Sequence, residues 1–241
     1  MQISGMKQNE KYLRAFPTYN DYLAKEWEMF ESDKEHQTAI VQATDDIRVD
    51  RVLDIGCGAG QEMLPLIARG AFGVGIDVMR EVGELGNKMF AKAGLEKRVT
   101  FVRASGNEIP FASESFDVLI CRVALMFMKN KAALAEIARV LRPGGRFLLK
   151  YQAPAYYWWK FGDGFRERYI KSSIHAARVL YAGYFYQFTG RQSFGKLTAA
   201  GEIFLTEDGL RKDFEQHGMR ITAEMPDSNE QTPSIVVTKE K

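Results

Sequence analysis

Cysteine is nearly absent, with Cys57 and Cys121 the only two in 241 residues. Both fall at the ends of predicted core strands, so they read as buried thiols of a reducing compartment, and a disulfide scaffold is excluded. Histidine is almost as scarce. His36, His175 and His217 stand too far apart for metal-ligand spacing, and no metal is expected. An excess of either charge is also missing, because Lys+Arg 33 against Asp+Glu 31 leaves a net +2. That balance supplies no global field for nucleic acid or an anionic membrane, and no nucleic-acid partner is expected. Long apolar runs are lacking as well. The opening MQISGMKQNEKYLRAF holds no continuous hydrophobic stretch of a leader, and no run approaches a membrane span. A cytoplasmic protein without an integral membrane segment is expected. No internal repeat or low-complexity linker divides the chain.

What the chain does have is a glycine-rich stretch, VLDIGCGAG, from Val52 to Gly60. Val52, Leu53 and Ile55 predict the end of a buried parallel strand. Gly56, Gly58 and Gly60 permit a tight turn, and the backbone there can approach a ligand closely. Gln61 to Arg69 reads as a helix, and Ala71 to Asp77 as a second strand ending in a carboxylate. Strand, glycine loop, helix, strand and acid in this order make a nucleoside-binding half-fold, with Asp77 placed for ribose hydroxyls. The dinucleotide fingerprint GxGxxG fails at its sixth position, which is Gln61. The pattern is instead acid-x-GxGxG, with Asp54 two residues before the first glycine. A carboxylate there repels phosphate oxygens and suits a cationic ligand.

This loop, followed by Asp77, resembles the first motif of the class I S-adenosylmethionine-dependent methyltransferases. The block ASGNEIPFASESFDVLICRV resembles the family's middle motifs, and EIARVLRPGGRFLL its structural post-helix motif. The resemblance implies a Rossmann-like α/β fold with three αβα layers. Its seven-stranded sheet is mostly parallel, with the last strand antiparallel. It implies S-adenosyl-L-methionine as cofactor, with Asp54, Gly56, Cys57, Gly58 and Gly60 at the amino-acid end. Asp77 and Val78 would lie at the ribose, and Ser105, Gly106 and Asn107 at the adenine, with Ser105 where the family usually has aspartate. The backbone around Cys121 and Arg122 would face the methionine part. Arg122 would pair with its carboxylate or stand solvated at the surface. The activity implied is methyl transfer to a small-molecule acceptor by direct displacement. A nucleotide-dependent oxidoreductase and a non-catalytic binder of the same cofactor are the alternatives.

Taken in order, residues 1–46 are an N-terminal helical segment, loose over residues 1–11. Tyr19, Tyr22, Leu23, Trp27 and Phe30 keep helical spacing. In the family such a helix lines the acceptor pocket, which makes Tyr19 and Tyr22 substrate-binding candidates. Residues 47–151 form the cofactor-binding core, with a helix over Met79 to Ala93 and a fifth strand over Arg146 to Tyr151 after RPGG. Residues 152–204 are too long for a simple connection and read as an aromatic-rich cap of two or three helices. Fourteen of the chain's twenty-nine aromatics lie between Tyr151 and Phe194. The cap is expected to have its own small core, to wall an acceptor pocket for an aromatic or apolar substrate, or to form an interfacial or homodimer surface. Trp158, His175 and Tyr184 are its substrate-binding candidates. His175 is also the candidate catalytic base, needed only where the acceptor is protonated. Residues 205–241 close the core with a helix capped by Thr206 and two strands, Met219 to Glu224 and Ser234 to Lys239.

Overall fold

The computed structural model describes residues 16–240. The loose stretch expected over residues 1–11 lies outside them. Among the described residues seven strands form one sheet: β1 (Arg51–Ile55), β2 (Phe72–Asp77), β3 (Val99–Arg103), β4 (Phe116–Arg122), β5 (Leu141–Lys150), β6 (Met219–Glu224) and β7 (Ser234–Lys239). Their order is β3-β2-β1-β4-β5-β7-β6. The first five pair in parallel, and β7 runs antiparallel to both β5 and β6. This is the expected mostly parallel sheet with one reversed strand.

The central strands show why the sheet needs helices on both faces. In β1 every residue after Arg51 is buried, and in β4 every residue before Arg122. Val52, Val118 and Ile120 join one core with Leu23, Trp27 and Phe30 of α1 (Tyr19–Ser32) and Ile40 of α2 (Lys34–Gln42). Leu53, Ile55, Leu119 and Cys121 join the other. Its helices are α5 (Asn130–Val140), through Leu134 and Ile137, and α8 (Glu207–Glu215), through Leu210 and Phe214. Each such side chain contributes about 1.5–3 kcal/mol when withdrawn from water.

The helix expected after Thr206 starts where the sequence indicates, and α1 has a side-chain cap as well. Thr18 and Asp21 form a reciprocal capping box at α1, and Thr206 Oγ1 accepts the Gly209 N–H at 3.2 Å at α8. Elsewhere the elements depart from expectation for local reasons. The first turn after the glycine loop is a tight 3₁₀ turn (Gln61–Met63), and α3 (Leu64–Ala68) is short, with Pro65 in its opening turn. The helix expected over 79–93 is α4 (Glu84–Lys92). Its start is delayed because Asp77 Oδ1 takes the Met79 N–H at 2.9 Å and Gly83 lies at φ 81°. The RPGG segment does not precede β5 but lies inside it. Leu141 pairs with Phe116, the chain bulges over residues 142–145, and pairing resumes at Arg146. Asp117 fastens this bulge to the start of β1. It takes the Arg142 guanidinium at 2.6 Å and the N–H groups of Asp50 and Arg51 at 2.9 and 2.8 Å.

The cap is a pair of helices, α6 (Pro154–Arg166) and α7 (Ile170–Thr189), followed by a 3₁₀ segment, Lys196–Gly201. Tyr157, Ala176, Val179, Leu180 and Phe204 form a small core of their own between them. Chain order reverses between β1 and β4, so a crevice opens at their carboxyl ends. The cap and α1 flank it.

Candidate functional site

At the tip of β1 the chain turns through Gly56 (φ 74°) and Gly58 (φ 53°), a left-handed region that side chains disfavour. A Cβ at Gly56 would stand 2.5 Å from the Ala124 Cβ, and one at Gly58 2.9 Å from Leu23 Cδ2. These two positions therefore hold the loop tight between β4's exit and α1. Asp54, just before it, is buried, and its Oδ2 has no hydrogen-bond partner. Burial, then repulsion from Glu62 and Asp77, raises its carboxyl well above the ordinary range, and Arg122 opposes this only in part. Cys57 is likewise pushed up by burial and by Asp54.

Asp77 ends β2 beside the loop. Its Oδ2 accepts the Gly58 N–H at 3.2 Å, which couples the acid to the glycine turn. Val78 follows, exposed, its carbonyl accepting from Arg103 Nε at 3.1 Å. On the next loop Ser105 Oγ accepts the Asn107 N–H at 3.2 Å, and Asn107 Oδ1 accepts the Lys129 N–H at 2.8 Å. Gly106 is buried, and a Cβ there would lie 2.6 Å from Met128 Sδ. Asn107 thus spends its carbonyl on the loop.

Cys121 turns away from the crevice into the core, where burial pushes its thiol up to about 12. Arg122 is neither solvated nor free for a ligand carboxylate. Its Nη2 pairs with Asp227 and its Nε lies 3.2 Å from Glu62 Oε1. Lys150 Nζ reaches Asp227 Oδ2 at 2.8 Å, and His36 Nε2 reaches Glu62 Oε2 at 2.8 Å. A buried ionic cluster drawn from α2, the glycine-loop turn, β4, β5 and the β6–β7 loop thus backs the crevice.

The cleft itself has a volume of about 390 Å³. Asp54, Gly56, Cys57, Gly58 and Arg122 form its floor, and Tyr19 and Tyr22 of α1 form one wall. Their rings stack at 6.0 Å. Burial, then the charge of Asp77, raises the Tyr19 phenol, which stays protonated. The opposite wall is Tyr156, Lys160 and Glu202. Glu202 is buried, with Oε1 at 2.8 Å from the Tyr157 hydroxyl and Oε2 without a hydrogen-bond partner. His175 stands behind it, Nε2 at 3.4 Å from Oε2. Lys160 lies 5.5 Å over the Tyr156 ring, and burial lowers its ammonium pKa against the opposing pull of Glu202. Trp158 and Tyr184 do not line the cleft. They are half exposed on the outer side of the cap, where Trp158 Nε1 donates to Tyr184 Oη at 3.4 Å.

Glu202, Glu62 and Asp227 escaped the sequence reading. Glu202 carried a signal, a single acid in the apolar run Ala199 to Leu205. Such a charge needs a partner or a task.

A sheet whose order reverses at β1/β4, with a glycine loop and two aspartates at the reversal, is an open α/β sheet of the kind whose ligand crevice lies at the carboxyl ends of the strands. Residues 53–149 match a family model described as a methyltransferase domain. The chain is 38% identical over 98 residues to a sterol 4-C-methyltransferase of Caenorhabditis elegans, a match covering 40% of this chain and 29% of that protein. It is 37% identical over 102 residues to the 27-O-demethylrifamycin SV methyltransferase of Amycolatopsis mediterranei, covering 42% of this chain and 38% of the relative. The alignments thus span well under half the length of these curated relatives. The fold is shared with the Burkholderia thailandensis 1,6-didemethyltoxoflavin-N1-methyltransferase, solved with 1,6-didemethyltoxoflavin and S-adenosylhomocysteine. The TM-score is 0.57 at 16% identity, covering 88% of this chain and 81% of that one. Over residues 53–149 the chain is thus similar to methyltransferase domains, and its fold is one that a methyltransferase solved with S-adenosylhomocysteine shares. Among the described residues no helix is long and apolar enough to cross a membrane.

Proposed function

We propose that the chain transfers a methyl group from S-adenosyl-L-methionine to a small-molecule acceptor held between the glycine loop and the cap. The observation that carries this reading is Asp54 Oδ2, a buried carboxylate oxygen with no partner on the cleft floor. It fits an ammonium and would repel a pyrophosphate. The remaining donors and acceptors fit the same nucleoside. Asp77 takes the ribose hydroxyls, with the Val78 backbone beside it. Ser105, Gly106 and the Asn107 amide take the adenine. Gly56, Cys57, Gly58 and Gly60, with the backbone of Cys121 and Arg122, border the amino-acid end. Arg122 serves there through its neighbours, since its guanidinium is committed to Glu62 and Asp227.

Bound there, the cofactor supplies a methyl carbon on a sulfonium, open to in-line attack by an acceptor lone pair. The chain's work is to hold acceptor and methyl in near-attack geometry and to exclude water. Tyr19, Tyr22 and Tyr156 give the acceptor aromatic walls, which favours an aromatic or apolar molecule. The sterol and rifamycin acceptors named for the two relatives agree with that character. For a hydroxyl or ammonium acceptor, Glu202 Oε2 takes the departing proton. His175, set behind the carboxylate, positions it or carries the proton onward.

Calorimetric titration tests the reading. S-adenosylmethionine binds and NAD does not, and Asp77→Ala weakens the nucleoside by about 1–3 kcal/mol through lost ribose hydrogen bonds. Heat with NAD alone returns the chain to the oxidoreductases, and an unchanged affinity in the variant removes Asp77 from the ribose.

A further inference from the structure

The cap carries a second apolar face that nothing among the described residues covers. α7 turns Ser173, Ala176, Leu180 and Gly183 inward. Seven residues apart on its outer side, Ile174, Tyr181 and Phe188 are 49%, 60% and 86% exposed. Phe165 of α6 and Leu197 are also more than half exposed. With Phe161, Ile174 and Tyr181 they line an open groove of about 460 Å³ between the two helices. Trp158 and Trp159 stand half exposed on α6. A contiguous exposed patch of this kind marks an interaction surface.

Charge selects the occupant. Residues 152–194 hold six basic side chains, Lys160, Arg166, Arg168, Lys171, Arg178 and Arg191, against two acids, Asp163 and Glu167. The chain as a whole is nearly neutral, so its positive charge is concentrated on the cap. Lys171 and Arg178 flank Ile174 at three and four residues on α7, all three exposed on one side of the helix. Two such faces brought together in a homodimer would set like charges against each other. An anionic bilayer offers the complement. Apolar side chains enter the boundary between headgroups and acyl chains, Trp and Tyr suit the wet edge, and Lys and Arg stems reach the phosphates.

We propose that the outer face of α6 and α7 docks the chain peripherally on an anionic lipid surface. The groove, Lys171 and Arg178 are separate from the cofactor cleft, which only Lys160 of the six basic side chains lines, so this holds independently of the methyl-transfer reading.

Sedimentation with vesicles of phosphatidylcholine, alone or mixed with phosphatidylglycerol, tests it. The full chain partitions to the mixed vesicles about tenfold or more above the neutral ones, and high salt releases it. Brominated lipid quenches tryptophan fluorescence, since Trp158 is half exposed beside Phe161 of the groove and Trp27 is buried. Phe165→Ser with Ile174→Ser and Phe188→Ser lowers partition about tenfold. These positions are exposed, so circular dichroism of the variant stays unchanged. The pair Lys171→Glu and Arg178→Glu abolishes the preference for anionic lipid. Absence of vesicle binding overturns the proposal, including the case where light scattering finds a dimer or the face captures a protein instead. Equal binding to both vesicle types, or undiminished binding by both variants, also overturns it.

Discussion

Asp54 shows how a site residue can cost the fold what it gives the ligand. Its carboxyl is raised, so the folded state holds its proton more tightly than the unfolded chain does. Charging it therefore lowers stability as pH rises above the unfolded value of about 3.9. Asp54→Asn should raise the melting temperature of the unliganded chain at neutral pH, by roughly 1–2 kcal/mol of stability. It should also weaken S-adenosylmethionine about tenfold or more. Differential scanning calorimetry and titration read the two effects, and a destabilised variant would show that the carboxylate has a structural partner. Asp54, the glycines and Asp77 could be singled out because the pattern is local, a seven-residue run and one following strand, and the structure places Asp54 and the glycine turn on one crevice with Asp77 beside the loop. Arg122 was not. Its partners Glu62 and Asp227 lie 60 residues before and 105 residues after it, and no local pattern carries a pairing of that reach.

At the scale of elements, the strands, the N-terminal helices and the closing hairpin follow from periodicity and caps. The phase of the cap helices does not. α6 reads YYWWKF in mid-helix, with aromatics around most of its circumference. Tertiary packing alone turns Tyr156 and Lys160 toward the cleft and Trp158 outward. The segment after α7 is where the cap meets the core. Ile203 N donates to the Met126 carbonyl at 3.2 Å and Leu205 N to that of Gln152 at 3.1 Å. That seam fixes the backbone on both sides of Glu202 and delivers its carboxylate to the cleft. Glu202→Gln keeps the shape and removes the base. It should cut kcat on phenol or amine acceptors by about 10²–10⁴. Cofactor affinity should not change, and Glu202→Asp should recover part of the rate. A Gln variant with full kcat on every accepted acceptor assigns the proton elsewhere.

For the whole molecule, the ionic cluster behind the crevice is a tie between distant parts of the chain. Burial alone would raise the Asp227 carboxyl, but Arg122 and Lys150 outweigh it and hold it well below the usual carboxylate range. The folded pKa is depressed, so this stabilisation is present above the unfolded value of about 3.9 and is lost as pH falls through the range below it. Melting temperature should therefore drop more steeply below about pH 4 in the natural chain than in Asp227→Asn. The variant should already be less stable at neutral pH, because Arg122 and Lys150 lose the carboxylate between them. Parallel curves would take Asp227 out of the acid response. The same tie governs what can be transplanted. The stretch shared with the family, 53–149, brings the glycine loop and Arg122. Glu62 travels with it, but His36, Lys150 and Asp227 do not, nor do Tyr19 and Glu202 on the walls. A chimera that exchanged this stretch alone would inherit a binding floor whose buried arginine and glutamate had lost their outer counter-ions. Recombination between relatives should succeed only where the three outlying pieces move as one.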